Sequence, residues 1–362
     1  MKLTAFRFYR YALPFKRPLD IHGIEVSRRE GLMIRLTSSD GVDGFGEIVP
    51  LAGWSKENLK EAYDQIQFLK SNLTGEHIPG GIERLDGKFE SWLEGMQLSS
   101  SVRFGLEMAV LNLIANSNNV PLFRVISDVG RGQVRINGLL QGTRYDVVRE
   151  AIKLKEDGFK TLKLKVGGAV EGNIDKVNAV SEVLAGEVLL HLDANRSWDI
   201  EDAIKFGKGI DCGCVTYIEE PLKDIRQIPE FYKETLIPSA LDESLLEMTF
   251  PDIQSIEGVD VMVVKPTLLG GIEKSWEIIQ QARAVGLQTV VSSAFESGLG
   301  LLTLANLAGC TSRDDEAGLD TVKYFRQDLL KEKLVIQNGK IDVSQRLVRE
   351  DDINFGLLEE VK

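Results

Sequence analysis

The sequence predicts an α/β protein, a (β/α)-barrel of the modified TIM type, with an N-terminal α+β capping domain completed by the C-terminal segment. Three observations lead there. From about residue 134, short apolar runs alternate with segments of helical period, the signature of βαβ units and a parallel sheet. Nearly every run closes on polar residues at its C-terminal edge, where barrels carry their active sites. The first hundred-odd residues differ, placing strands before helices.

Taken in order, residues 2–12 and 31–37 read as strands, and Ser38, Ser39, Asp40 and Gly41 form a hairpin turn into Gly44–Glu47. Ser55 is the expected N-cap of a helix over 56–70, and residues 101–116 carry a broad apolar stripe. The capping domain so defined spans 1–125. Apolar runs follow at 134–141, 161–166, 187–193, 215–218, 237–241, 259–266 and 287–293, with helical segments such as 145–157, 171–185 and 272–285 between them. An eighth strand is expected near Leu319–Phe325, so the barrel covers 126–330. Residues 331–362, with Asn338-Gly339 as a hairpin turn, are expected to return to the capping sheet.

Composition narrows the function. The 362 residues are 43% hydrophobic and 27% charged, which excludes disordered and low-complexity classes. Lys and Arg number 43 against 55 Asp and Glu, and without a basic run nothing meets a phosphate backbone, so no nucleic-acid partner is expected. The odd set Cys212, Cys214 and Cys310 reads as reduced thiols packed as ordinary side chains, and no 18-residue apolar stretch occurs. Neither membrane insertion nor export is expected, and the cytoplasm is the default location.

The strand ends carry the chemistry. Lys163 and Lys165 share one face of the second barrel strand, as Asp193 and Asn195 share a face of the third. Glu219, Asp242 and Lys265 close the fourth, fifth and sixth. The second and sixth strands of an eight-stranded barrel stand opposite, so Lys165 and Lys265 should confront each other across Asp193, Glu219 and Asp242. Carboxylates about 5 Å apart repel by about 3 kcal/mol per pair at an effective dielectric near 20. A hard divalent cation, Mg²⁺ or Mn²⁺ rather than zinc, would neutralise them as ligands and leave positions for an anionic carboxylate substrate. Burial, a second lysine and the cation all disfavour a charged Lys165, which makes it the candidate base. Ser292, Ser293, Glu296, Ser297 and Gly298 occupy a strand-to-helix turn where amides and the helix dipole attract anions. Loops around 16–24 and 50–54 should form a lid.

Other features read as structural. Gly44-Phe45-Gly46 suggests a hairpin rather than a phosphate loop. His22, His77 and His191 lack ligand spacing, although His191 shares a face with Asp193 and could lean into the site. Glu220 and Glu243 should point away from the ligands and make supporting contacts with Lys or Arg.

The motifs Lys163-Leu-Lys165, Leu192-Asp-Ala-Asn-Arg-Ser-Trp198, Ile218-Glu-Glu-Pro-Leu222, Leu241-Asp-Glu-Ser244, Val263-Val-Lys-Pro-Thr267 and Ser292-Ser-Ala-Phe-Glu-Ser-Gly-Leu-Gly300 resemble the muconate-lactonising branch of the enolase superfamily. Within that branch they are most similar to the o-succinylbenzoate synthases of menaquinone biosynthesis. Arg29-Glu-Gly31, Gly46-Glu47 and Gly318-Leu-Asp-Thr321 extend the likeness over the chain. The resemblance implies a lyase that dehydrates 2-succinyl-6-hydroxy-2,4-cyclohexadiene-1-carboxylate to 2-succinylbenzoate through a magnesium-stabilised enediolate. It implies Lys165 as base and then acid on one face, Lys265 as a fixed cation on the other, and Lys163 near the carboxylate, with Asn195 on the substrate and the succinyl tail expected at the turn over residues 292–298. A racemase of N-succinylamino acids or an epimerase of dipeptides would use the same two lysines. A Schiff-base aldolase would have no use for three clustered acids, and a non-catalytic scaffold would not keep all five positions.

Overall fold

In the computed structural model, which describes residues 1–21, 23–311 and 316–361, strands β1 (Leu3–Ile21), β2 (Ile24–Ser38) and β3 (Asp43–Ile48) form an antiparallel sheet. The first two run well past their expected ends. Residues up to Ile21 keep pairing with residues 24–30, and a register shift between Pro14 and Leu19 absorbs the missing proline donors. Residues 16–21 of the expected lid are therefore strand rather than loop, and residues 18–21 line the cavity at the barrel rim. The helix Leu59–Leu73 starts later than expected because Asn58, not Ser55, caps it. Asn58 Oδ1 accepts from the Lys60 and Glu61 amides while Glu61 returns to the Asn58 amide; Ser55 Oγ is used by Leu51 N.

The helix Ser100–Asn118 lies on this sheet, and the approach explains the glycines of β3. A β-carbon on Gly46 would collide with the Gly105 carbonyl, and one on Gly44 with the Ala109 carbonyl. Gly44-x-Gly46 is thus neither turn nor phosphate loop but a seat for a helix. Gly46→Ala should cost about 2 kcal/mol or more in urea unfolding, whereas Gly172→Ala, in open space on a helix, should cost nothing.

Seven strands run parallel in chain order: β5 (Gly138–Leu140), β6 (Thr161–Lys165), β7 (Leu189–Asp193), β8 (Val215–Glu219), β9 (Ser239–Leu241), β10 (Val259–Val264) and β11 (Gln288–Val291). Helices such as Arg144–Glu156, Val170–Leu184 and Ile272–Ala284 connect them. The expected first run at 134–141 is divided, because β4 (Gln133–Arg135) leaves the ring to pair with β12 (Lys340–Asp342). No strand forms at Leu319–Phe325, where Val322–Tyr324 is a 3₁₀ turn. The ring closes instead through single bridges, Ala317 to Ile136 and Gly318 to Ser292. Asn137 N donates to Ala317 O (3.1 Å), Gly318 N to Val291 O (2.9 Å) and Ser293 N to Gly318 O (3.0 Å). Asp320 carries the seam onward by accepting from Leu139 N (3.0 Å). Asn338 and Gly339 do make a turn, with φ of 52° and 65°, but its arm serves β4; a separate strand, β13 (Glu359–Glu360), joins the capping sheet beside β1.

Carboxylates join the capping elements to barrel helices at their N-termini, where orphan amides and the dipole favour negative charge. Glu107 accepts from the amides of Ile272 (2.5 Å) and Glu273 (2.8 Å), and Glu273 in turn accepts from those of Gly87, Phe89 and Glu90. Glu47 on β3 accepts from Ser297 N (3.0 Å), Ser297 Oγ (2.8 Å), Gly300 N (2.9 Å) and the Tyr11 hydroxyl, at the start of the helix Gly298–Ala308. No helix among the described residues is long and apolar enough to cross a membrane.

Candidate active site

Parallel register sets the C-terminal rim of the barrel. Lys165 pairs with Asp193 and Asp193 with Glu219, so the three stand at one height; Asp242 follows β9 and Lys265 follows β10. Lys163, on the same face as Lys165 and one step deeper, donates to both oxygens of Glu219 (2.8 and 2.6 Å) and pairs with Asp193 Oδ2 at 3.1 Å. Lys265 pairs with Asp242 and lies 4.1 Å from the centroid of the Trp54 ring. Lys165 differs from both. Among the described residues it makes no hydrogen bond or ion pair, and it opens into a cavity of about 580 Å³.

The three carboxylates are buried. Burial pushes Glu219 and Asp242 above the usual carboxylate range. Burial acts upward on Asp193 too, but Lys163, Lys165 and Lys265 outweigh it and hold this acid low. Burial also works against a charged Lys163, and Asp193, Glu219 and Asp242 reverse the balance. Among the described residues no three His, Cys, Asp or Glu side chains stand ready-grouped for a metal; Lys163 and Lys265 pair with the three acids instead. The donor set still suits a hard cation. Asp193 and Glu219 share the Lys163 ammonium, Asp242 is buried at the next strand end, and Asn195 Oδ1 is buried with no hydrogen-bond partner among the described residues.

A supporting layer fixes this rim. Glu220 turns away from the cavity, as alternation requires, and accepts from the amides of Asp242 and Ser244 (both 2.8 Å), from Ser244 Oγ (2.9 Å) and from Arg196 Nε (3.1 Å). It thereby holds the Asp242 turn against β8. Glu243 accepts from Asn195 Nδ2 at 3.1 Å. Asn195, Arg196, Glu220 and Phe295 all have positive φ (44°, 56°, 43° and 60°), so backbone strain collects just beyond the strand ends. His191 does face inward, beneath the rim. Its Nδ1 meets the Tyr217 hydroxyl at 2.8 Å, and burial with Lys163 nearby pushes it down to about 3, leaving it neutral. His77 pairs through its backbone with Lys2, far from the rim, and His22 lies outside the described residues. Cys214 and Cys310 are buried and Cys212 is exposed, all as free thiols.

Residues 146–347 match the family described as enolase C-terminal domain-like, and residues 3–113 match the MenC N-terminal domain. The o-succinylbenzoate synthase of Aliivibrio salmonicida is 32% identical over 333 residues, covering 89% of this chain and 92% of its own. That of Haemophilus influenzae is 31% identical over 346 residues, covering 91% and 94%. The chain belongs to the o-succinylbenzoate synthase family. It also matches Protein PHYLLO, chloroplastic, of Arabidopsis thaliana at 32% identity, where 85% of this chain spans 20% of the plant protein. Two solved structures share the fold: the L-Ala-D/L-Glu epimerase of Bacillus subtilis (TM-score 0.83, 22% identity, 95% of this chain and 96% of that one) and a muconate lactonizing enzyme of Pseudomonas fluorescens (0.85, 20%, 99% and 99%).

The turn after β11 departs from expectation for this o-succinylbenzoate synthase family member. Ser292 and Ser293 line the cavity with Ala294 and Phe295, but Glu296, Ser297 and Gly298 do not. Those three are buried and their groups are spent inside the protein. Glu296 accepts from Thr267 Oγ1 (2.5 Å), Ser293 Oγ (2.7 Å) and Ala294 N (2.8 Å); the Ser297 amide goes to Glu47 and the Gly298 amide to Asp328 (2.9 Å). This helix start already holds its anions, so the expected anion site there is filled by the chain itself. Arg29, singled out in sequence only as part of a motif, is buried and donates to Val49 O (2.7 Å), Pro50 O (2.9 Å), Phe295 O (3.2 Å) and Ala294 O (3.4 Å). It clamps the 49–54 segment to the rim. Sequence reasoning missed Trp54 and Lys176 on the cavity wall; an aromatic inside the expected lid was the available signal for Trp54.

Proposed function

We infer that the protein dehydrates 2-succinyl-6-hydroxy-2,4-cyclohexadiene-1-carboxylate to 2-succinylbenzoate, the lyase step of menaquinone biosynthesis that its family carries out, in the cytoplasm. The observation that supports the assignment of roles is the inequality of the two lysines: Lys265 is pinned by Asp242 under Trp54, whereas Lys165 makes no hydrogen bond or ion pair among the described residues and faces the cavity. Lys165 in its neutral form takes the proton α to the ring carboxylate. It then returns that proton to the β-hydroxyl on the same face. The C–H and C–O bonds break, a ring double bond forms, water leaves, and aromatisation favours the product. Lys265, already charge-paired, is suited to stay a fixed cation on the far face rather than a second base, which favours the dehydratase over the two-base racemase. Lys163 keeps positive charge near the substrate carboxylate.

Asp193, Glu219 and Asp242 would hold a divalent cation, Mg²⁺ with Mn²⁺ as the alternative. When bound, it would stabilise negative charge gathering on the substrate carboxylate. Treatment with EDTA should lower dehydration of this substrate at least about a hundredfold, and added Mg²⁺ should restore it. Full activity in EDTA with verified metal removal would exclude the cation from the reaction.

A further inference from the structure

We propose that Lys176 is a second anion anchor in this cavity and grips the carboxylate at the end of the substrate's succinyl tail. The inference rests on the dehydratase reading, because that substrate carries two carboxylates.

The charge balance of the cavity wall leads to it. Four lysines line the wall: Lys163, Lys165, Lys176 and Lys265. Lys163 is paired with Asp193 and Glu219, and Lys265 with Asp242. Among the described residues two of these lysines have no acid partner, Lys165 and Lys176. Lys165 is engaged as the base at the α-carbon, and Lys163 supplies positive charge at the ring carboxylate. Lys176 is left for the tail.

Lys176 is held toward that task. It lies on the helix Val170–Leu184 and donates to Asn173 Oδ1 at 3.2 Å. Asn173 is itself buried and fixed by donating to Gly167 O (2.7 Å) and Ala169 O (2.8 Å), in the turn that follows Lys165. The ammonium is therefore braced over the β6 wall of the cavity without being neutralised. Nearby acids are engaged elsewhere, Glu171 with Lys205 and Asp175 with Arg144. Partial burial holds Lys176 below its ordinary value, the mark of a cation short of a counter-ion.

The other candidate anion seat is closed, since Glu47, Glu296 and Asp328 take the amides at the start of the helix Gly298–Ala308. The capping wall offers Asp20, which repels a carboxylate. A cavity of about 580 Å³ has room for a ligand reaching from Lys165 to a second wall.

The test compares 2-succinylbenzoate with 2-butanoylbenzoate, in which a methyl group replaces the tail carboxylate, by calorimetric binding to the metal-loaded full-length protein. Wild type should prefer the dicarboxylate at least tenfold. Lys176→Gln should lose that preference while binding the butanoyl compound within threefold of wild type, and should raise KM for the dehydration substrate at least tenfold with less than threefold change in kcat. Lys176→Arg should recover most of the preference, and Lys153→Gln, an exposed control, should keep it. If wild type dehydrates normally and Lys176→Gln keeps the full preference, the anchor is overturned and the dehydratase reading stands. If wild type fails to dehydrate the substrate at all, both fall.

Discussion

Lys165→Ala should lower kcat for dehydration by about 10³-fold or more while leaving the fold's stability within about 0.5 kcal/mol of wild type. The two halves of that expectation have one cause. A side chain with no hydrogen bond or ion pair among the described residues has little structural to lose, so its removal is felt chiefly by the substrate. Lys163→Ala gives the contrast, because it strands the buried Glu219 and Asp193 and should cost several kcal/mol in unfolding. Steady-state kinetics beside urea melts of the two variants separate the roles. A Lys165→Ala enzyme retaining a tenth of wild-type kcat would remove Lys165 as the base.

The largest stability effect is expected at Glu47. Glu47→Ala leaves the Tyr11 hydroxyl, the Ser297 amide and hydroxyl and the Gly300 amide without their acceptor in a fully buried junction, and should cost about 3–5 kcal/mol. The pH dependence has a definite sign. Burial pushes Glu47 up to about 7, above the ordinary 4.5, so the folded protein retains a proton that the unfolded chain releases. The stability it lends is fully present below about 4.5 and is lost as pH rises through about 7, roughly 3 kcal/mol in all. Glu47→Gln cannot titrate, and its deficit relative to wild type should shrink between pH 5 and pH 8. A deficit independent of pH in denaturant melts would show that Glu47 stays ionised throughout.

The barrel rim was legible in sequence because its polar residues interrupt otherwise apolar strands at a fixed place, which propensity alone does not explain. Lys163, Lys165, Asp193, Glu219, Asp242 and Lys265 all stand on that rim. The start of the helix at Gly298 was misread for a physical reason. Its motif advertises free amides, and the carboxylate that takes two of them arrives from Glu47, some 250 positions earlier in the chain. Local pattern cannot announce a distant partner. Lys176 was passed over because on a helix surface a lysine is ordinarily solvated, and only the absence of an acid beside a cavity sets it apart. The eighth strand failed because Ala317 and Gly318 supply two rungs and Asp320 and Thr321 then turn their side chains sideways, to Leu139 N and Ser293 Oγ.

That short seam governs how the molecule must assemble. Ile136 and Ala317 lie half the chain apart, so zipping the cylinder shut is among the longest-range and slowest steps available to the polypeptide. Until it happens, β5 and β11 are raw borders with unspent amides and carbonyls, open to annealing with a neighbouring molecule. Substitutions that weaken the two-rung join will therefore surface first as clumping during synthesis, with catalysis by the molecules that escape left intact.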